Sequence, residues 1–177
     1  MDNYLQELFD GDRSIPEILH SDYRKGKFQE CLKCERQLQE IQGVYEIQKI
    51  YRQGRPIWEH AICSQCGQEM IEEYSDESLN RIEQFMSRLD LHEESMDNCH
   101  LCESGVSTGN EHMISTLCSQ NRMIMSPMIL CVDCLDRMNE LLSDETQDAW
   151  DEFVRDHVPG LPAQQEPSPT DMPMPGM

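Results

Sequence analysis

Eight of the nine cysteines occur in Cys-x2-Cys pairs, a spacing suited to holding metal ions. The arrangement Cys-x2-Cys, twenty-eight residues, Cys-x2-Cys is written twice, and the second copy lies sixty-eight positions after the first. A Cys-x2-Cys turn places two sulfurs on one side of a tight loop, and two such turns close a tetrahedron around one ion. We therefore expect two zinc ions, with iron as the alternative metal. The expected ligands are Cys31, Cys34, Cys63 and Cys66 in the first copy, and Cys99, Cys102, Cys131 and Cys134 in the second.

Three further residues could compete for metal, and each has a simpler interpretation. His60 could replace a cysteine, but its counterpart in the second copy is Met128, which cannot ligate zinc in this way, so we expect His60 to be a strand residue. His100 lies inside the third pair and is expected to contact solvent or a sulfur. Cys118 falls outside the repeated set and is expected to be a small buried hydrophobe.

Each copy needs a hairpin to bring its two cysteine pairs together and helices to support them. In the first copy we expect strands at about 44–51 and 56–62 and helices at about 67–74 and 75–89. The second copy repeats this plan, with strands at about 111–117 and 123–130 and helices at about 135–142 and 144–157. Ser75 and Ser143 are the expected helix N-caps. The last helices carry matching apolar stripes that we expect in the core: Ile82, Phe85 and Met86, then Trp150, Phe153 and Val154.

The expected fold class is α+β, with two tandem small zinc ribbons, each followed by two short helices. A repeat of roughly 60 residues has a marginal hydrophobic core, so metal should be needed for folding. If each copy is a unit with its own helices, losing one ligand should unfold that copy. The expected order is a helical lead-in at 1–28, repeat 1 at 29–90, a polar linker at 91–98, repeat 2 at 99–158 and a disordered Pro/Met-rich tail at 159–177. In the lead-in, Tyr4 to Phe9 have helical spacing, and Ser14 is expected to cap a short helix.

The chain carries 34 acidic and 14 basic side chains, for a net charge of −20. Such a surface opposes nucleic-acid binding, which depends on clustered Lys and Arg, and suits a basic protein partner. No signal peptide or apolar membrane span is evident, so we expect a cytoplasmic protein without membrane contact, in which paired cysteines bind metal. The basic residues expected to be exposed near the hairpins are Lys49, Arg52, Arg55 and Arg122. The aromatic residues that could stack on bases are Tyr45, Tyr51 and Trp58.

The order pair, hairpin, pair, helix resembles a zinc ribbon, and residues 31–74 and 99–142 carry the likeness. It is also distantly similar to the cysteine-pair module of McsA-type activators of protein arginine kinase, which act with Clp proteases. The spacing resembles rubredoxin, an iron electron carrier, as well. The segment Cys63-Ser-Gln-Cys66-Gly fits a rubredoxin turn, but the other three pairs lack the glycine and the aromatic-rich rubredoxin core is missing.

A closed four-thiolate site has no open position for substrate, so it is structural rather than catalytic. The sequence shows no phosphate-binding glycine loop, nucleophile elbow or His-Glu zinc motif, so we expect no enzyme activity. The expected function is that of a protein–protein interaction or regulatory adaptor. One alternative is a rubredoxin-like iron electron carrier or thiol redox sensor, and another is a transcription-associated zinc ribbon that binds nucleic acid. The sequence makes no prediction of the oligomeric state.

Overall fold

The computed structural model describes residues 14–89, 96–107 and 109–158, which form the expected mixed α+β fold. The strands are β1 (Tyr45–Arg52), β2 (Arg55–Cys63), β3 (His112–Ser119), β4 (Arg122–Met123) and β5 (Met128–Cys131). The helices are α1 (Ser64–Ile71), α2 (Asp76–Met86), α3 (Val132–Asn139) and α4 (Asp144–His157), preceded by a 3-10 helix at Glu17–Leu19. The helix expected near Tyr4, most of the expected linker and the expected tail lie outside the described residues. No helix in the described ranges is long and apolar enough to cross a bilayer.

The two copies are joined in one antiparallel sheet, with strand order β2-β1-β3-β4 and with β5 also paired to β3. The junction is the pairing of β1 with β3, which places Tyr45 opposite Cys118 and Ile50 opposite Met113. The repeat offset makes Ile50 the counterpart of Cys118 and Tyr45 the counterpart of Met113. These two pairs are therefore related by a local twofold axis through the centre of the sheet. We call residues 14–89 the first half and residues 96–158 the second half.

The N-termini of α2 and α4 lie next to each other and are counterparts under the same local twofold symmetry. Ser75 and Ser143 are their N-caps, as the sequence predicted, because each hydroxyl accepts the backbone N–H three residues further on. The two cap hydroxyls lie 2.8 Å apart. In addition, Ser75 N donates to Thr146 Oγ1 at 3.0 Å, and Ser143 N donates to Ser78 Oγ at 2.8 Å. Each helix start is thus hydrogen-bonded by the other half as well as by its own cap.

The last helix of each half reaches over the strands of the other half. Met86, at the end of α2, lines a small internal space together with Met128 and Leu130 of β5. At the other end of the sheet, His157 of α4 lines a groove beside Trp58 of β2. The apolar stripes of α2 and α4 pack against the hydrophobic core, as predicted. The two halves consequently share one core instead of each enclosing its own.

Residues 14–23 cover the face of the sheet opposite the last helices. This finding corrects the expectation that Lys49 is exposed. The Lys49 side chain is 0% exposed. Its Nζ donates to the His20 carbonyl at 2.6 Å and lies 3.3 Å from a Glu59 carboxylate oxygen. Nearby, the Tyr51 hydroxyl donates to the Ile18 carbonyl at 2.8 Å. Lys49 belongs to the strand face that the N-terminal segment covers, so it forms buried ion pairs.

Five predicted helix boundaries are shifted by three residues toward the N-terminus, including the ends of α1 at Ile71 instead of about 74 and of α3 at Asn139 instead of about 142. α1 begins at Ser64 instead of about 67, and α3 begins at Val132 instead of about 135. In both cases the first cysteine of the preceding pair is the N-cap, in extended backbone, so the Cys-x2-Cys segment is itself the first helical turn. α2 ends at Met86, before the predicted 89, where Leu89 N donates to the Met86 carbonyl at 2.8 Å and forms a turn.

The second hairpin is less regular than predicted, because the continuous strand expected at 123–130 is split into β4 and β5. The break contains Pro127, which has no N–H for a sheet ladder and restricts the residue before it. In the break, Thr116 Oγ1 donates to the Met125 carbonyl at 3.0 Å. The expected cap role of Ser14 is also wrong, because Pro16 precedes the 3-10 helix without a side-chain cap and Ser14 forms a β-bridge with Arg122.

Candidate metal centres

The eight paired cysteines come together as two groups of four, grouped as the repeat spacing predicts. Within each group the sulfurs all lie within 4.8 Å of one another. Cys34 Sγ and Cys63 Sγ are 3.9 Å apart in the first group, and Cys102 Sγ and Cys131 Sγ are 3.6 Å apart in the second. A tetrahedron with Zn–S bonds of about 2.3 Å has sulfur–sulfur edges of about 3.8 Å. The donor type, number and spacing therefore fit a four-coordinate zinc ion in each group.

The first pair of each group lies in a turn that places the residue after the second cysteine in the left-handed region. Glu35 has φ 57° and its N–H bonds the Cys31 carbonyl at 2.9 Å. Its counterpart Glu103 has φ 59° and bonds the Cys99 carbonyl at 2.8 Å. Glycine is the usual residue at such a φ, because a side chain there costs about 1–2 kcal/mol. The turn geometry is thus formed without the glycine whose absence weakened the likeness to rubredoxin.

The second pair of each group lies at a helix N-terminus, where unpaired backbone N–H groups stabilise negative charge. Cys63 and Cys131 are the N-caps of α1 and α3. The partial positive charge at a helix N-terminus favours a thiolate over a thiol. The Cys63 N–H also points at Cys31 Sγ, with an N–S distance of 3.4 Å, and so links the two pairs of the first group.

In the metal-free protein, each group combines buried thiols with one thiol that ionises easily. Burial raises the pKa of Cys66. Burial acts in the same direction on Cys34, but hydrogen bonds, chiefly from Arg36, outweigh it and lower the pKa to about 6. In the second group, hydrogen bonds from Ser104 outweigh burial and lower the pKa of Cys102 to about 6. Metal binding requires four thiolates, so loading would release protons from the buried thiols.

Arg36 and Ser104 are the site residues that the sequence analysis missed. Both lie two positions after the second cysteine of their turn and are counterparts in the repeat. Arg36 Nε lies 3.4 Å from Cys34 Sγ, whereas Ser104 Oγ lies 2.9 Å from Cys102 Sγ. Aligning the two copies shows the position, but only the turn geometry shows that its side chain reaches the sulfur. The first group therefore has a cationic neighbour and the second a neutral one.

The remaining candidate ligands lie outside both groups. His60 is a strand residue whose Nδ1 accepts from Trp58 Nε1 at 2.9 Å, and burial lowers its pKa to about 3. His100 is buried instead of exposed to solvent, and its Nδ1 accepts the Ile129 N–H at 2.8 Å. Cys118 is fully buried in β3, where burial raises its pKa to about 12.

No protein-family model, no curated protein and no solved structure matches this chain. The resemblances to zinc ribbons, to McsA-type activators and to rubredoxin therefore rest on the cysteine motifs and their geometry.

Proposed function

We propose that this protein holds two zinc ions in a pair of zinc-ribbon units and acts as a non-enzymatic adaptor that binds another protein. The observation that carries the proposal is the pair of four-sulfur groups, each with the donors of one closed tetrahedral zinc site. A zinc ion with four protein ligands has no open position for water or substrate, so its contribution is to folding. No disulfide joins the nine cysteines, so all eight paired sulfurs are available as metal ligands.

Each half supports the zinc-ribbon interpretation with the same sequence of elements. A turn with two cysteines leads into a hairpin, and the second hairpin strand ends at the first cysteine of a helix N-terminus. In the first half the hairpin is β1 and β2, and in the second half it is β3 with the split β4 and β5. Bound zinc would hold the two ends of each hairpin loop together, which stabilises a unit that has little core of its own.

The side-chain environment favours a protein partner over nucleic acid. The three aromatic side chains that could have stacked on bases, Tyr45, Tyr51 and Trp58, are buried in the core. Lys49 is buried in ion pairs, and the Arg52 guanidinium pairs with the Glu111 carboxylate at 2.6 Å. The hairpins therefore offer neither a stacking platform nor a basic patch, and the net charge of −20 opposes counterion release from phosphates.

Two measurements test the proposal. Elemental analysis of the purified protein should find about two zinc ions per chain, and the protein should be colourless. Iron with strong visible absorption would refute the zinc assignment and support the rubredoxin-like alternative. Affinity purification with mass spectrometry, with and without a zinc chelator, should recover a partner protein only from the zinc-loaded sample.

The nucleic-acid alternative needs its own test. Fluorescence anisotropy with labelled single- and double-stranded oligonucleotides at about 150 mM salt should show no appreciable binding. Sub-micromolar binding that weakens steeply with salt would overturn the adaptor proposal, because such a dependence is the signature of phosphate contacts.

A further inference from the structure

We propose that the outer edge of β2, with the groove beside it, binds an extended segment of a partner protein that adds to the sheet as a further strand. The segment would carry an apolar side chain for the groove and flanking Lys or Arg residues. This inference rests on the proposed protein-binding function and states where the partner binds and what its chemistry is.

The groove is a cavity of about 510 Å³ between β2, the first cysteine turn and the end of α4. Phe28, Ile57, Trp58 and Val158 supply its apolar lining, and Tyr23 stands in its wall. Tyr23 is 67% exposed, and in the part of the chain that the structure describes only Ile124 is another large exposed hydrophobe. An exposed aromatic residue beside an apolar cavity is a common feature of protein-binding sites.

β2 is an end strand of the sheet, so no strand of the described residues pairs with its outer side. Leu32 N donates to the Ala61 carbonyl at 2.8 Å, which shows that Ala61 directs its backbone groups away from β1. Backbone direction alternates along a strand, so Glu59 directs its N–H and C=O outward as well. The Glu59 side chain is only 2% exposed, yet the residue as a whole is half-buried, so its exposed part is the main chain. An accessible edge of this kind is what an added strand pairs with.

The equivalent edge in the second half is closed by a side chain. There Ile129, the counterpart of Ala61, donates its N–H to His100 Nδ1 at 2.8 Å and accepts from His100 N at 2.9 Å. In the first half the position of His100 is occupied by Leu32, whose side chain accepts no hydrogen bond. The Ala61 N–H therefore has no acceptor among the described residues, but Ala61 is 2% exposed and lies behind the first cysteine turn. The accessible part of the first half's edge is therefore at Glu59, whose counterpart in the second half is Pro127, outside β4 and β5.

A second donor beside the groove also lacks a partner. His60 lines the groove, and its buried Nε2 has no hydrogen-bond partner within the described ranges. Its Nδ1 accepts from Trp58 Nε1, so in the neutral ring Nε2 carries the proton and is a donor. A peptide carbonyl would satisfy a donor of this kind, whose burial without a partner is otherwise unfavourable.

The charges around the groove favour a basic segment. Glu30, Glu35 and Glu59 line it. Glu30 is paired with Arg24 at 2.9 Å and the buried Glu59 carboxylate with Lys49 at 3.3 Å. Glu35 is therefore the lining carboxylate that can meet a cation, in a chain of net charge −20. The chain's own residues 159–177 fit poorly, because they contain six prolines, which cannot donate to a sheet ladder, and no Lys or Arg. A basic, apolar segment of another protein is therefore the occupant that matches both the backbone edge and the charge.

The test uses the full-length, zinc-loaded protein and a phage-displayed library of random twelve-residue peptides. The selected peptides should share an apolar residue flanked by Lys or Arg. A fluorescein-labelled consensus peptide should bind about tenfold or more weakly to Tyr23→Ala, as for a hot-spot side chain. The matched control is Ile124→Ala, which truncates the other exposed hydrophobe. Ile124 lies in the loop after β4, at the far side of the sheet. This variant should bind the consensus peptide with wild-type affinity.

Backbone pairing is tested on the peptide itself, so that protein folding is not at issue. N-methylation at one set of alternate peptide positions should lower affinity about tenfold or more, whereas the other set should have little effect, because only every second amide of an added strand faces β2. Amide hydrogen exchange at Glu59 should slow when the peptide is bound. Equal tolerance of N-methylation at all positions would refute strand addition.

Three other outcomes would also overturn the inference: no enriched peptide motif, equal effects of Tyr23→Ala and Ile124→Ala, or displacement of the consensus by a synthetic peptide of residues 159–177. The last result would make the tail the occupant. Partner recovery that survives Tyr23→Ala unchanged would refute the groove but leave the adaptor function standing. Recovery of no partner by the wild-type protein would refute the adaptor function itself.

Discussion

Replacing one cysteine of the second group by serine should unfold both halves of the protein. Cys134→Ser removes one of four sulfurs from a closed tetrahedral site, and a neutral hydroxyl is a poor substitute for a thiolate. The sequence alone suggested that only the affected copy would unfold. The shared sheet changes that expectation, because β1 of the first half is covered on one side by β3 of the second.

The magnitudes support loss of the whole fold. A structural zinc site contributes about 10–16 kcal/mol to the folding of small zinc peptides, and a typical domain has a total stability of about 5–15 kcal/mol. At the junction of the halves, Ile47, Ile50, Met113 and Ile114 are each at most 2% exposed. Each such side chain contributes about 1.5–3 kcal/mol when fully buried, so the first half, which supplies Ile47 and Ile50, would lose up to about 3–6 kcal/mol. The first half would thus lose an amount comparable to the total stability of a marginally stable domain.

Hydrogen exchange with mass spectrometry measures this directly. In Cys134→Ser, amides of β1 and β2 should lose protection together with those of β3 and β5. Cys118→Ser is the control, since this fully buried cysteine lies outside both groups and should retain two zinc ions at a cost of about 1–3 kcal/mol for the buried hydroxyl. Wild-type protection of β1 and β2 in Cys134→Ser would refute the coupling of the halves. Equal zinc loss from both variants would refute the ligand assignment.

Three further predictions concern single side chains. Arg36→Ser should speed removal of the first zinc ion by a chromogenic chelator several-fold, and Ser104→Arg should slow removal of the second. The reason is that a cation beside a thiolate stabilises the charged site. Release kinetics identical to wild type would contradict the role given to these two neighbours of the sulfur groups. At pH 8 native Cys118 should react with iodoacetamide at least about 100-fold more slowly than a free cysteine, because burial raises its pKa to about 12; peptide mass spectrometry reports the modification. His100→Leu should lower the free energy of unfolding by about 1–3 kcal/mol by leaving an edge N–H of β5 unpaired, whereas Leu32→His should raise it by up to about 1 kcal/mol. Urea unfolding measures both, and shifts of the same sign would show that the two edges are not equivalent.

Local signals account for the parts of the structure that the sequence predicts well. The cysteine spacing recurs with a constant offset, so the membership of each sulfur group follows from counting. Ser75 and Ser143 each precede an acidic first turn and an amphipathic stripe, and both become N-caps. These features depend on residues within one or two turns of each other, where propensity and periodicity are informative.

The joining of the halves depends on contacts that no local pattern contains. The first residues of β1, Tyr45 to Gln48, alternate between apolar and polar, which indicates a strand with one exposed face. In the structure both faces are buried, because residues 14–23 cover Lys49 and the helices cover the face of Gln48. The pairing of β1 with β3 joins segments more than sixty residues apart, and nothing near Tyr45 specifies Cys118 as its partner.

The local twofold symmetry also shows where the two halves have diverged. In the second half His100 closes the sheet edge, β4 and β5 are short, and the exposed turn sulfur has the neutral Ser104 beside it. In the first half Leu32 bonds only the Ala61 carbonyl and leaves the edge of β2 accessible at Glu59, β2 is continuous, and Arg36 supplies a cation to the sulfur group. Because the halves share one sheet and one core, the closed half can stabilise the fold while the open half keeps an accessible strand edge. Duplication thus provides a physical reason why an acidic chain with little apolar material can present an accessible strand edge and remain folded.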